Sequence, residues 1–140
     1  MGLRKAFAGL VIWLGLMTGA APGSAGEPEA AIRDVISGQI EAFAADDIDS
    51  AFEFASPTIQ GMFGTPGNFG RMVRKGYPMV WRPADVRFSR LGERGGLPVQ
   101  GVLLTDGAGR VHVLDYEMIE VDGVWRINGV RFRDPDGAGA

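Results

Sequence analysis

The spacing of apolar residues changes from a helical period to a strand period near the middle of the chain. Between residues 28 and 45, apolar side chains recur three or four positions apart, at Ile32, Val35, Ile36, Ile40 and Phe43. This spacing places them on one face of an amphipathic helix. From Pro78 onward, apolar and polar residues alternate instead, which is typical of half-buried strands. The pattern predicts helices first and strands second.

Two more helices are predicted before the strands begin. The acids of DDIDS, residues 46–50, are typical of an N-cap and a first helical turn, so a short helix is expected over residues 51–55. In GTPGNFGRMVRKGY, residues 64–77, Thr65 fits a helix cap and Pro66 fits the first helical position. The acid cluster lacks the alternating ligands, central glycine and closing glutamate of a calcium loop, so capping is the preferred interpretation.

The second half of the chain predicts an antiparallel sheet of about four strands. A short extended piece, PMVWRP, is expected at residues 78–83, and turn sequences separate the segments that follow. The predicted strands are ADVRFSRL, VQGVLLTD, RVHVLDYEMIEV and the final VWRINGVRF. The predicted fold class is therefore α+β, with N-terminal helices packed on a curved antiparallel sheet.

Two hairpin loops fix a predicted register for the last three strands. They are DGAG at residues 106–109 and the Asp-Gly pair at residues 122–123. With these loops, the opposed pairs are Val121 and Val124, Met118 and Ile127, Tyr116 and Gly129, Leu103 and His112, and Gly101 and Leu114.

Because directly opposed residues share a face, this register also predicts which side chains meet the helices. The helix side is expected to hold Val99, Leu103, His112, Leu114, Tyr116, Met118, Trp125, Ile127, Gly129 and Arg131. Arg126 and Asn128 are expected to point away from the helices. The outer side also collects an apolar patch, which predicts a homodimer: Val102, Val111, Val113, Val130 and Phe132. A slip of one residue would invert these faces.

The order of these elements resembles the nuclear-transport-factor-two-like, cystatin-related α+β cone, whose sheet would end here in DGVWRING at residues 122–129. The stretch QIEAFAADDIDSAFEFASPTIQGMFGTPGNFGRMVRKGY, residues 39–77, more narrowly resembles an uncharacterised bacterial family of domains of unknown function in that superfamily. The resemblance covers about residues 30–133. It implies a cavity between the helices and the concave sheet and frequent homodimers. It implies no single function, because relatives include isomerases, dehydratases, polyketide cyclases and binding proteins.

Composition excludes several kinds of site. The chain has no cysteine, so it has no disulfide, thiolate metal site or cysteine nucleophile, and its one histidine cannot build a zinc site with several imidazoles. The formal net charge of −3 argues against nucleic-acid binding, which requires a basic surface. No glycine-rich phosphate loop precedes a helix. The sequence predicts neither a metal nor a cofactor.

The N-terminus has the pattern of a secretory signal peptide. A basic start at MGLRK is followed by the apolar run AFAGLVIWLGLMTGA and a small-residue region, and the run is shorter than a bilayer span of about 20 residues. Cleavage is expected after Ala25, with Ala20 as the alternative. The prediction is a signal peptide at residues 1–25 and a single domain at 26–140. The mature protein would be periplasmic or secreted, with no membrane attachment.

Four polar or aromatic residues are candidate ligand contacts inside the predicted cone: His112, Tyr116, Trp125 and Arg131. A guanidinium on an apolar face requires a partner, so Arg131 predicts a small ligand that is anionic or has an anionic group on an apolar body. Three functions remain open, namely a ligand-binding domain, a cofactor-free enzyme of the isomerase or dehydratase type, and a structural or accessory module. A histidine could transfer protons. Because Asp115 and Glu117 are predicted outside the cavity, the sequence favours binding over catalysis.

Overall fold

The computed structural model describes residues 27–133, which form four helices and one four-stranded antiparallel sheet. The helices are α1 (Glu27–Ala44), α2 (Ile48–Glu53), α3 (Pro57–Phe63) and α4 (Pro66–Gly76), followed by a 3-10 turn at Pro78–Val80. The strands are β1 (Asp85–Arg94), β2 (Leu97–Thr105), β3 (Val111–Val121) and β4 (Val124–Arg133), and they pair in the order β1-β2-β3-β4. The predicted α+β class, with helices preceding a sheet of four antiparallel strands, is confirmed.

Side-chain caps start three of the helices where the sequence provides oxygen acceptors. Asp47 accepts the backbone N–H of Ser50 at 3.2 Å and begins α2, and Thr65 accepts the N–H of Asn68 at 3.2 Å and begins α4. The sequence predicted Thr65 as a cap, and for α2 it predicted a cap from the acid cluster at residues 46–50 without naming Asp47. Helix α3 was not predicted, although Ser56 caps it and Pro57 follows in the first position.

The segment at residues 78–83 is not extended as predicted. Pro78 begins a 3-10 turn in which the N–H of Val80 donates to the carbonyl of Tyr77 at 3.1 Å. Proline fixes a φ angle that helical and turn conformations share, and its missing N–H costs nothing at the first position of a turn. The turn places Val80 in the core.

The hairpin between β2 and β3 differs from the predicted register by one residue. Thr105 pairs with Val111, so the loop contains the five residues 106–110 rather than four. Asp106 accounts for the extra residue, because its carboxylate accepts the N–H groups of both Ala108 and Arg110 at 2.9 Å. Leu104, and not Leu103, therefore lies opposite His112.

The hairpin between β3 and β4 begins in the predicted register and then shifts. Met118 pairs with Ile127 as expected, but a β-bulge at Asn128 makes Tyr116 pair with Val130 instead of Gly129. A bulge inserts one residue into one strand, so every later side chain changes face. The prediction was correct up to residue 127 and wrong beyond it.

These two shifts change the faces of β2 and of the end of β4. The helix-facing side holds Gln100, Val102, Leu104, His112, Leu114, Tyr116, Met118, Ile127, Val130 and Phe132. The predicted outer patch is therefore divided, because only Val111 and Val113 of its five members face outward. Arg126 pairs with Ile119 on the outer side, as predicted, although its guanidinium donates to the carbonyl of Glu53 at the end of α2. Asn128 lies at the bulge and bonds both Glu117 and Ser56.

The core lies between α1, α2, α4 and the helix-facing side of the sheet. Its fully buried members come from both layers and include Ile32, Ile36, Phe43, Leu104, Leu114 and Met118. Phe43 packs against Phe69 and Trp81, with ring centroids 6.0 and 4.7 Å away. The edge of β4 is covered where Ala55 forms a parallel bridge to Ile127. This bridge fixes the α2–α3 junction against the sheet.

The predicted signal peptide at residues 1–25 lies outside the described residues, so both cleavage positions remain predictions. Within residues 27–133, none of the helices has the length and apolar character needed to span a membrane.

Candidate ligand cavity

A cavity of about 240 Å³ lies between helices α1, α3 and α4 and the helix-facing side of β3 and β4. Its lining is mostly apolar and aromatic, with Phe43, Phe69, Val73 and Ile127 among the buried contributors. For comparison, a dry cavity of about 150 Å³ binds benzene, and ligand pockets commonly begin near 300 Å³. The cavity therefore has room for one small apolar group of one or two rings.

Helix α3 forms the outer wall of this cavity. None of its seven residues is buried, yet Ile59, Met62 and Phe63 all line the cavity. The helix ends at Gly64, whose φ of 76° is accessible mainly to glycine. Met62 is 70% exposed and stands at the rim. The cavity thus opens to solvent beside α3.

Tyr116 is the most deeply placed polar residue of the lining. It lies in the middle of β3 and is 1% exposed. Its hydroxyl makes no hydrogen bond with any residue in the range 27–133, yet its oxygen is not completely covered by protein atoms. It therefore faces accessible space, and the cavity is the accessible space that Tyr116 lines. Burial raises the pKa of Tyr116, with a smaller contribution from Tyr77, so the hydroxyl stays protonated at neutral pH.

Gln39 supplies a second polar group from α1. Its Nε2 donates to the carbonyl of Ala51 at 3.1 Å, which fixes the orientation of the amide. Its Oε1 accepts no hydrogen bond from the described part of the chain and is not fully occluded, although the residue is 5% exposed. Gln39 is a lining residue, so its Oε1, like the Tyr116 hydroxyl, is a polar group of the lining that the described residues leave unpaired.

Tyr77 lines the cavity but its hydroxyl is already used. That hydroxyl donates to the carbonyl of Val130 at 3.0 Å, on the edge strand β4. Its ring stacks on Phe132 with centroids 5.0 Å apart. Tyr77 therefore fixes the 3-10 turn to the sheet and offers only a lone pair to a ligand.

Of the four sequence-predicted contacts, the structure places only Tyr116 at the cavity. His112 lies near the β2–β3 loop, where its Nε2 and Asp106 Oδ2 are 2.8 Å apart. The hydrogen bond from His112, followed by those of the loop backbone, lowers the pKa of Asp106. Trp125 is half-buried against the core, away from the lining. Arg131 is exposed on the outer face, opposite Asp115. The expectation that Arg131 points into the cone was wrong.

Sequence reasoning missed Gln39 and Tyr77. A signal for Gln39 was present, because it lies three residues after Ile36 and four before Phe43, within the apolar stripe of α1. A polar residue in such a stripe is buried and needs a partner. No comparable pattern marks Tyr77, which reaches the cavity only because the chain turns at Pro78.

The outer face of the sheet carries a separate charged cluster. Asp115 is 5% exposed and accepts hydrogen bonds from Arg94, at 3.3 Å, and from Arg133. Gly101 is its cross-strand neighbour and leaves room for these side chains, since a Cβ there would meet Ser89 and Arg133. The two arginines are about half exposed and cover the carboxylate from solvent.

A chain of hydrogen bonds connects the outer face to the wall of the cavity. Asn128, at the β4 bulge, donates to Glu117 Oε2 at 2.9 Å and accepts from Ser56 Oγ at 2.8 Å. Ser56 Oγ in turn caps α3 by accepting the N–H of Ile59 at 3.2 Å. The bulge that shifts the register thus also positions α3 over the cavity.

No arrangement for metal binding accompanies the cavity. In the part of the chain that the structure describes, no three histidine or carboxylate side chains lie close enough together to hold a metal ion. The described residues of the cavity lining contain hydroxyl and amide groups but no carboxylate or imidazole. The site can therefore bind a ligand through hydrogen bonds and apolar contacts.

The family described as "Domain of unknown function (DUF4864)" matches residues 26–140. The chain belongs to this family. The match confirms the predicted membership of an uncharacterised domain family and includes every residue of the cavity lining. No curated protein matches the chain.

One solved structure similar to this DUF4864 domain is described as the crystal structure of an NTF-2 like protein of unknown function from Burkholderia xenovorans LB400. The two chains are 19% identical, and the TM-score is 0.46. The aligned part covers 76% of this chain and 86% of the other.

Proposed function

We propose that this DUF4864 domain binds a small, largely apolar ligand in the cavity between α1, α3, α4 and the sheet. The observation that carries the proposal is an apolar cavity of about 240 Å³ that contains a buried hydroxyl, that of Tyr116, with no hydrogen-bond partner among residues 27–133. Buried polar groups are nearly always hydrogen-bonded in folded proteins, so an unpaired one beside accessible space indicates a binding position.

Binding is favoured over catalysis by the groups that line the cavity. Proton transfer needs a residue that gains or loses a proton near the working pH. Among the described lining residues, the titratable groups are the tyrosines Tyr77 and Tyr116, and the pKa of Tyr116 is raised further from neutrality. These described residues can orient a ligand by hydrogen bonds but include no general base.

A cavity-filling variant tests the proposal with toluene as the probe. Toluene is expected to stabilise the wild type in a thermal-unfolding experiment, because a ligand that binds only the folded state at 100 times its Kd adds about 2.7 kcal/mol. Val73→Phe places a ring in the cavity, since Val73 is buried and lines it, and toluene affinity should fall at least about tenfold. Val124→Phe, at the exposed tip of the β3–β4 hairpin, is the matched control and should bind toluene normally.

Two results would contradict this proposal. An unchanged wild-type unfolding temperature at saturating toluene concentration would show that the cavity takes up no apolar group. Equal toluene affinity in wild type and Val73→Phe would place any binding elsewhere on the protein.

We also propose that the domain is exported and forms a homodimer through its outer sheet face. Export is supported by the signal-like residues 1–25, and dimerisation by the partly exposed Leu103, Val111 and Val113 on that face. Native mass spectrometry of protein recovered from outside the cytoplasm tests both. The subunit mass should correspond to a chain that begins at Gly26 or Ala21, and the complex should have twice that mass. An uncleaved subunit would contradict export, and a monomer at every concentration would contradict the dimer.

A further inference from the structure

The polar groups of the cavity restrict the chemistry of a ligand more closely than the volume of the cavity does. The Tyr116 hydroxyl is protonated and can donate one hydrogen bond. The Gln39 Oε1 is a carbonyl oxygen and can only accept hydrogen bonds, and the bond from Nε2 to the Ala51 carbonyl fixes the orientation of the amide. A ligand group that satisfies both must accept from Tyr116 and donate to Gln39.

The lining also restricts the charge that a bound ligand group can carry. None of the lining residues in the described range 27–133 is charged. An ionised carboxylate buried there would lose its hydration without a cation to replace it, and the lone pairs of Gln39 Oε1 would repel it. A cationic amine would likewise lack an anionic partner. The group that both oxygens can bind is therefore neutral.

We propose that the cavity recognises a neutral group that both donates and accepts a hydrogen bond, a hydroxyl or an amide, attached to a small apolar body. This inference rests on the proposed binding function and specifies its ligand class. It also replaces the anionic ligand expected from the sequence, since Arg131 lies on the outer face and the described lining residues include no cation.

A ligand hydroxyl is disfavoured in an apolar cavity unless it forms hydrogen bonds there. The affinity of an alcohol relative to the corresponding hydrocarbon therefore shows whether the cavity provides hydrogen-bond partners. Burying an unpaired hydroxyl costs free energy, and an alcohol would then bind more weakly than the corresponding hydrocarbon. With Tyr116 and Gln39 as partners, two neutral hydrogen bonds should reverse the order and favour the alcohol by about tenfold. Tighter binding of the alcohol than of the hydrocarbon would thus show that its hydroxyl is hydrogen-bonded in the cavity.

The experiment compares four probes that share one ring: toluene, benzyl alcohol, benzaldehyde and benzoate. Binding to the folded full-length protein is measured by calorimetry. The expected order is benzyl alcohol first, then benzaldehyde, which can accept from Tyr116 but cannot donate to Gln39, with benzoate no tighter than toluene. Tyr116→Phe should remove the preference for the alcohol and leave toluene affinity unchanged.

Tyr77→Phe is the matched control, because it also removes a tyrosine hydroxyl from the lining, but one already bonded to Val130. It should retain the preference for benzyl alcohol. If Tyr116→Phe does not fold, Gln39→Met provides the second variant and should bring benzyl alcohol to the affinity of benzaldehyde.

The outcomes separate this inference from the function on which it rests. Equal affinities for toluene and benzyl alcohol, or tightest binding of benzoate, would overturn the neutral ligand class while leaving a binding cavity in place. If none of the four probes binds the wild type, the proposed function itself fails.

Discussion

Replacing Leu104 with alanine is expected to lower the free energy of unfolding by about 3–5 kcal/mol, whereas the same change at Leu103 should cost roughly 1 kcal/mol. The two leucines are neighbours on β2 and differ only in the face they occupy. Leu104 is fully buried against the helices, and Leu103 is partly exposed on the outer side. Removing the Leu104 side chain leaves a cavity in the core, and its neighbours can refill that space only in part.

Chemical denaturation of both variants measures this difference. The two substitutions remove the same atoms from the same strand, so each serves as the control for the other. Low protein concentration avoids a contribution from dimerisation to the Leu103 value. The register predicted from the sequence requires the opposite result, with the larger loss at Leu103. Such a result would show that β2 is shifted by one residue from the structure described above.

The register illustrates where sequence patterns lose information. Alternation identified the strands and the Asp-Gly turn fixed the first pairs of β3 and β4. The β2–β3 loop has five residues because the Asp106 carboxylate accepts two backbone N–H groups, and DGAG fits a loop of four equally well by composition. The bulge at Asn128 depends on contacts to Ser56 and Glu117, which are 72 and 11 residues away. Local sequence cannot report such contacts.

The residues of the candidate site, like the strand register, could be predicted only in part from the sequence. Tyr116 was identified because β3 alternates regularly and its faces did not change with the register. Arg131 was misplaced because it follows the bulge. Trp125 and His112 lie on suitable strands but away from the space that the helices leave open. The position of a cavity depends on where helix α3 sits, and nothing in the strand pattern specifies it.

Folding stability is also expected to depend on Asp115 of the outer face, which is a nearly buried carboxylate with two cationic partners. Removing one partner of a buried ion pair commonly costs about 3–5 kcal/mol, since a charge is left without compensation. Arg94 and Arg133 both compensate the charge of Asp115. Because each is about half exposed, solvent screening reduces the free-energy cost of removing either one. Arg94→Met or Arg133→Met alone is expected to cost about 1 kcal/mol or less, because the other arginine remains.

The double variant Arg94→Met with Arg133→Met should lose about 2–4 kcal/mol, more than the sum of the single changes, because Asp115 then loses both of the cations that donate hydrogen bonds to it. Adding Asp115→Asn to that variant removes the uncompensated charge and should recover most of the loss. Arg87→Met with Arg90→Met on the exposed side of β1 is the matched control, and should change stability by about 0.5 kcal/mol or less. Urea denaturation of the five proteins and the wild type gives all the required free energies. Additive losses in the double variant, or no recovery with Asp115→Asn, would show that the arginines stabilise the sheet by packing alone and not by compensating Asp115.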